Sequence, residues 1–374
     1  MSRQLTGTVV AVGAPQEKPD IRYRTGLSLP DPVVYVRHRG KDYVVVSVLD
    51  RELARREAGR MRIYIPDDLR IPGSKRGGRH GWIVGLLKKL SVRSVAVTND
   101  FPVVVADNIR KAGFRLRAVG GSVAPEREIK TRAEIARITD CQRAAVHAMR
   151  AAIRLIVDSR PDRKNRLRLR GRLLTSEGIR KVINGVLAEH NCVCEGTIVS
   201  CGTLAAKPHF PGYGALRANE SIVIDIFPRH LEHGYHGDLT RTVVKGAPSP
   251  ELKKMRDAVK AAHAAVLEKI RAGASGHRLH CAASGLLEKR GFKTGILDGR
   301  AQGFIHSTGH GIGLDIHEAP SIGTGAGRLR AGNVVTVEPG LYYFPQGGVR
   351  IEDTVLVTKR GYRKLASCPY VFRV

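Results

Sequence analysis

Acidic residues are scarce in this chain. Only 34 Asp and Glu stand against 63 Lys and Arg over 374 residues, a formal charge of +29. That balance excludes an acidic, cation-buffering surface and reads as solvated charge, with docking to anionic partners as the alternative. Aromatics are few as well, at 5% with a single Trp, and no aromatic platform of the kind that stacks bases accompanies the charge. The six cysteines are scattered, and the one close pair, Cys192 and Cys194, lacks CxxC spacing. This excludes a disulfide scaffold and a cysteine zinc site, and it predicts free thiols in a reducing, cytoplasmic setting. No apolar run approaches the length needed to cross a bilayer. The stretch "MSRQLTGTVVAVGAPQEKPD" has no apolar core of the signal-peptide kind and reads as mature protein. No short period repeats, so a solenoid is excluded.

What is present is a chain long enough for two domains, with 42% hydrophobic residues to build their cores. The first ~120 residues alternate strand-like segments ("TGTVVAV", "PVVYVRH", "DYVVVSVL", "MRIYIP", "SVAVTND", "RLRAVG") with helical ones ("DRELARREAG", "FPVVVADNIRKAGF"). Gly120, Gly121 and Pro125 mark a linker, which predicts a domain over residues 1–122 and a second over 123–374. The second opens on a long amphipathic helix, with Thr131 and Glu134 spaced as a capping box. Its order is helix, helix, strands, helix, helix, strands, a hint of two similar halves. The run "RPDRKNRLRLRGR", Arg160 to Arg172, holds seven basic residues and one acidic. It reads as a solvated helix and loop, with phosphate docking as the alternative. The basic loop "GSKRGGRHG", Gly73 to Gly81, likewise reads as solvated.

Four acids interrupt segments that are otherwise apolar: Asp225 in "SIVIDIF", Asp238 in "YHGDLTRT", Glu338 after "NVVTV" and Glu352 after "GGVRI". Burying one unpartnered carboxylate costs several kcal/mol, so four in one domain need a common explanation. Period-two alternation puts Thr336 with Glu338 on one strand face, and Arg350, Glu352 and Thr354 on another. Carboxylates converging in one pocket repel, and a pair of divalent cations removes the conflict. The stretch "FIHSTGHGIGLDIHEAP" supplies imidazoles, with His310 between two glycines that let the backbone approach closely. Two Asp, two Glu and one His suit Mn²⁺, with Co²⁺, Zn²⁺ and Fe²⁺ as alternatives. Such a pair activates hydroxide at neutral pH and polarises a carbonyl, the chemistry of amide hydrolysis. His209, His306 and His317 are candidates to stabilise charge or pass protons, and Glu338 to accept the water proton.

The segments "GDLTRT", "GHGIGLDIHE", "TVEPGLY" and "GVRIEDTVLV" together resemble the dinuclear metallopeptidases of the pita-bread fold, over roughly residues 127–374. The α/β segment that precedes them is similar to the creatinase, prolidase and Xaa-Pro aminopeptidase branch. The resemblance implies an α+β protein whose C-terminal pita-bread domain, a duplicated helix–helix–strand unit, follows an N-terminal α/β domain. It implies that Asp225 binds one metal, that Asp238 and Glu352 bridge both, and that His310 and Glu338 bind the second. It implies that His209, His306 and His317 serve the substrate and the proton relay, and that Arg350 supports a metal-binding Asp. It further implies a homodimer acting on short, proline-containing peptides. The expected function is therefore an Xaa-Pro aminopeptidase-like exopeptidase, with an Xaa-Pro dipeptidase (prolidase) as the alternative. A basic nucleic-acid-binding or scaffold protein on the same fold is the further alternative, and a creatinase-like hydrolase a third. The intact ligand set favours a working metalloenzyme. His230, His233 and His236 read as exposed hairpin residues, and "GHGIG" is no phosphate loop, because strand–GxGxxG–helix context is missing.

Overall fold

The computed structural model describes residues 7–59, 61–69 and 78–374. The chain divides into two compact units, Met1–Arg127 and Glu128–Val374. The first runs β1 (Val9–Gly13), α1 (Pro19–Thr25), β2 (Val33–His38), β3 (Lys41–Val45), α2 (Arg51–Glu57), β4 (Arg62–Tyr64), α3 (Arg79–Lys89), β5 (Ser94–Thr98), α4 (Val103–Lys111) and β6 (Arg115–Val119). Its six strands form one mixed sheet in the order β4-β3-β2-β1-β5-β6. Alternate residues of each strand enter different cores, as the period of two requires. Val10, Val34, Val36 and Val45 pack with Trp82, Ile83, Leu86 and Leu87 of α3. Val9, Val33, Tyr35 and Val44 pack on the other face with Ile21 of α1 and Ala54 of α2.

Two helices of this unit differ from the sequence reading. The seven-residue α1 starts on a proline and stops at Gly26, whose φ of 71° suits only a residue free of Cβ strain. The helix α3 absorbs Arg79 to Gly81 of the basic loop, its glycines tolerated because Trp82, Ile83 and Leu86 are buried; residues 73–77 of that loop lie outside the described residues. The segment after the Gly120–Gly121 pair stays with the first unit. Asp20 accepts from the Val123 amide at 2.6 Å, from Ser122 at 2.7 Å and from Arg127 at 2.5 Å, and Arg24 donates twice to the Val123 carbonyl.

The second unit is built twice over. Its first half pairs α5 (Arg132–Asp158) with α6 (Ser176–Glu189), joined by a small sheet of β7 (Arg160–Pro161), β8 (Leu167–Leu169) and β9 (Arg172–Leu173). The basic run thus forms strands rather than a helix and loop, because Leu167 is drawn into the core beneath α5. There follow β10 (Cys192–Val193), β11 (Ile198–Cys201), β12 (Ile222–Ile226), β13 (Arg229–His230) and β14 (Leu239–Val243). Of these, β11-β12-β14 form a three-stranded antiparallel sheet under the two helices, and β10 pairs with β13. The second half repeats the pattern with α7 (Pro250–Leu267) and α8 (Gly276–Lys289), and then a hairpin of β15 (Gly295–Leu297) and β16 (Arg300–Gln302). Next come β17 (Gly309–Gly311), β18 (Glu318–Ile322), β19 (Val334–Val337), β20 (Gly340–Tyr343), β21 (Gly347–Arg350), β22 (Asp353–Val357) and β23 (Tyr362–Lys364). Five of them form the sheet β18-β17-β19-β22-β23.

The segments read as single strands around Glu338 and Glu352 each break in two at the acid. Glu338 and Pro339 separate β19 from β20, and Ile351 and Glu352 separate β21 from β22. The breaks turn the acids out of ladder register and toward one cleft. Among the described residues no helix is long and apolar enough to cross a membrane. All six cysteines are free, and Cys141, Cys192, Cys201 and Cys368 are buried.

The capping box at α5 is complete: Glu134 N donates to Thr131 Oγ1 at 3.3 Å and Thr131 N to Glu134 Oε2 at 2.8 Å. Replacing Thr131 with Ala is expected to cost about 1 kcal/mol. A urea midpoint that does not move would remove the cap from this account.

Candidate metal centre

Each half of the second unit brings acids to the same cleft. Asp225 lies in β12 opposite Thr240 of β14, and Asp238 stands just before β14. From the other half come His310, in the middle of β17, then Glu338 and Glu352 at the two strand breaks. A register shift between His310 and Gly311 bulges β17. The flanking glycines are required here: a Cβ on Gly309 would lie 2.0 Å from the Thr336 carbonyl, and one on Gly311 2.5 Å from the Ala319 carbonyl. The close approach lets His310 Nε2 stand 3.3 Å from Glu338 Oε1 and 3.6 Å from Asp238 Oδ2. Ligand atoms of Asp238, His310 and Glu352 all lie within 4.8 Å of one another, a triad that could hold a metal ion.

Hydrogen bonds aim these groups. The Asp238 amide donates to Gln142 Oε1 at 2.8 Å while Gln142 Nε2 donates to the Asp238 carbonyl at 2.7 Å. Thr240 Oγ1 sits 2.8 Å from both Asp225 Oδ1 and Glu352 Oε2. One hydroxyl proton serves one of those contacts, so two ionised carboxylates leave the other contact without a proton. Arg350 Nη2 donates to Asp225 Oδ2 at 2.6 Å, Nε to Thr240 Oγ1 at 3.1 Å and Nη1 to Tyr342 Oη at 2.9 Å. His310 Nδ1 lies 3.2 Å from the Gly311 carbonyl, which, with the proton on Nδ1, leaves the Nε2 lone pair facing the acids.

The electrostatics are unfavourable for anions. Burial, then Glu352, Asp225 and Glu338, push the Asp238 carboxyl well above its usual range. Burial, then Glu338 and Asp225, do the same to Glu352. Burial lifts Glu338 to about 7 against the pull of Arg350. Glu352 Oε1 is buried with no hydrogen-bond partner. Burial, then His317, lower His310 to about 4, so its imidazole is neutral and able to ligate. Crowded acids, an orphaned carboxylate oxygen and a neutral imidazole fit a site for divalent cations.

The other candidate histidines differ in what they touch. His317 stands edge-on to His310, ring centroids 4.3 Å apart, and is exposed. His209 is exposed, and burial lowers His317. His306 is engaged at both nitrogens, Nε2 by Tyr342 Oη at 2.9 Å and Nδ1 by the Ser307 carbonyl at 2.8 Å; burial, then Arg350, lower it to about 3. The hairpin histidines correct the sequence reading, since none is exposed. His230 and His233 stack at 3.8 Å and their Nδ1 atoms accept from the Glu232 and Tyr235 amides. They shape the turn rather than decorate it. Sequence reasoning singled out neither Thr240 nor Gln142. Thr240 lies two residues after Asp238 and so on its face, and Gln142 is a polar residue on the buried side of α5, which were the available signals.

Comparison with known proteins accords with this geometry. The model of metallopeptidase family M24 matches residues 136–359. The chain is 28% identical over 278 residues to the Xaa-Pro dipeptidase of Pyrococcus horikoshii, covering 73% of each protein. It is 32% identical over 241 residues to the Xaa-Pro dipeptidase of Pyrococcus furiosus, covering 64% of this chain and 63% of that one. Among solved structures, the Xaa-Pro dipeptidase from Bacillus anthracis matches with a TM-score of 0.83 at 22% identity, over 98% of this chain and 95% of that one. The X-Pro aminopeptidase from Thermotoga maritima matches at 0.77 and 22%, over 98% and 97%. The structural likeness is one of fold, and the duplicated second unit has the pita-bread architecture of these proteins.

A cation entering this site must displace protons from Glu338, Asp238 and Glu352, whose carboxyls are raised. The thermal stabilisation given by a divalent cation is therefore expected to grow as pH rises through about 7, where Glu338 gives up its proton. His310 adds to the same trend only near pH 4, where its imidazole loses its proton. A cation-induced shift in Tm of equal size at pH 5.5 and pH 8 would contradict the assignment.

Proposed function

Because the chain belongs to metallopeptidase family M24, we propose that it is a dinuclear metal-dependent Xaa-Pro dipeptidase, a prolidase. Asp225, Asp238, His310, Glu338 and Glu352 would hold two divalent cations, with Mn²⁺ favoured by the oxygen-rich set. The bound cations would polarise the scissile carbonyl and make water a nucleophile near neutral pH. The observation that carries the reading is the convergence of acids whose ionisation is opposed by burial and by one another, together with the orphaned Glu352 oxygen.

The chain's own residues do the rest. Glu338, the least buried of the four acids, would accept the proton of the attacking water. The nitrogen of an Xaa-Pro bond carries no hydrogen, so it leaves only after gaining a proton. The exposed His317 and His209 can deliver it and can hydrogen-bond the tetrahedral oxygen on the way. His306 has no nitrogen to spare; it holds Tyr342, which with Arg350 steadies Asp225. It is a positioning residue in this reading rather than a relay.

An aminopeptidase and a dipeptidase cut the same bond in an Xaa-Pro pair and differ in the room left beyond proline. The sequence by itself favoured the aminopeptidase. The relatives' names support the dipeptidase, and the proposal follows them. A scaffold on this fold has no need of all five ligands.

The test compares Ala-Pro with Ala-Pro-Ala, with and without Mn²⁺. Metal-stimulated cleavage of the dipeptide, faster than that of the tripeptide, is expected. Equal or faster tripeptide cleavage restores the aminopeptidase reading, and no stimulated cleavage of either removes the enzyme. In the same assay His317→Ala is expected to lower kcat/KM by about 10²–10³-fold.

A further inference from the structure

The sheet β7–β9 is an arrangement of like charges that its own stability does not favour. Arg160 stands directly opposite Arg168, and Arg166 is bridged to Arg217 on the neighbouring strand segment. Like charges opposed across a ladder are destabilising. Local acids relieve only part of this. Asp162 takes Arg166 at 2.9 Å and Arg168 at 3.2 Å, and Glu220 takes Arg217 at 3.0 Å. Arg160, Arg163, Lys164, Arg170 and Arg172 are exposed and form no ion pair among the described residues. The turns hold them outward: Asn165 and Arg170 adopt φ of 58° and 50°, and Arg168 donates to the Gly171 carbonyl at 2.8 Å. Leu167 anchors the sheet in the core beneath α5. The result is a rigid basic ridge rather than a loose tail.

We propose that the β7–β9 ridge docks the phosphate backbone of duplex nucleic acid, independently of the peptidase site. Arginine predominates, six to one over lysine in this run, and its planar fork matches phosphate oxygens two at a time. No aromatic residue lies between Arg160 and Leu174, so bases have nothing to stack on and single strands gain no preference. No base-reading helix is presented by the sheet. The contact is to the backbone alone, sequence-independent and strongly salt-dependent.

The experiment is fluorescence anisotropy of a labelled DNA duplex of about 20 base pairs from 50 to 200 mM salt, a range in which backbone contacts weaken steeply. The full chain is compared with Arg160→Gln, Arg163→Gln, Lys164→Gln, Arg170→Asn and Arg172→Gln combined. A control removes five exposed cations of the first unit (Lys88, Arg93, Lys111, Arg115 and Arg117 to Gln). The wild-type chain is expected to bind, and the ridge variant to lose about 4–5 from the slope of log K against log salt, about 0.9 for each of the five cations removed. The control should keep the wild-type slope, and the ridge variant should cleave peptide substrate as the wild type does. Absence of binding at 50 mM salt overturns the proposal. So does an equal loss of slope in ridge and control variants, which would make the effect one of net charge. Binding to anionic phospholipid vesicles but not to the duplex overturns it as well.

Discussion

The mutual repulsion of Asp225, Asp238, Glu338 and Glu352 is the constraint around which the second unit is arranged. Left in water, each carboxylate would ionise freely. Gathered in one cleft, Asp238 and Glu352, at 5% and 1% exposure, are pushed toward the neutral form by burial and then by the neighbouring acids. Burying an uncompensated carboxylate costs several kcal/mol, so a fold that gathers four must recover the cost elsewhere. The two β-rich halves are held together over this cleft, with Thr240 from one touching Glu352 from the other.

Among the described residues the protein's own cations do not neutralise the cluster. Arg350 reaches Asp225 and stops there among the acids. Arg241, fully buried behind the cleft, spends its donors on the Thr240 and Glu352 carbonyls, on Asp353 at 2.8 Å and on the Cys368 carbonyl at 2.7 Å. It pins β14 to the turn that carries Glu352 without touching the Glu352 carboxylate. Two guanidinium groups thus fix geometry and leave most of the negative charge for something else to balance. Positions set in advance are what a two-cation hydrolytic site needs, because small errors in placement are expensive at the transition state.

Much of this was legible in the sequence, for a physical reason. An acid inside an apolar segment is conspicuous because burial penalises it, so Asp225, Asp238, Glu338 and Glu352 stood out by type and place, and His310 by its glycines. A supporting hydroxyl was less visible: Thr240 is an ordinary strand residue by propensity, and only its partners mark it. The strand breaks at Glu338 and Glu352 were hidden because β-rich residues continue on both sides. In the first unit α1 and α3 escaped notice, one too short and the other too glycine-rich for a helical period to show. The basic ridge looked like a solvated segment because Leu167, its single anchor, is one residue among many charges. Room beyond the second substrate residue is a property of surfaces far apart in the chain, and no local pattern encodes it.

The central claim is that cations complete this cluster of acids. Equilibrium dialysis of the metal-stripped chain against Mn²⁺, followed by elemental analysis, tests it most directly. The account predicts two ions per chain for the wild type, with loss of uptake in Glu352→Ala and in Asp238→Ala, both variants remaining folded by circular dichroism. A wild-type chain that takes up no ion, or variants that take up as many as the wild type, would contradict it.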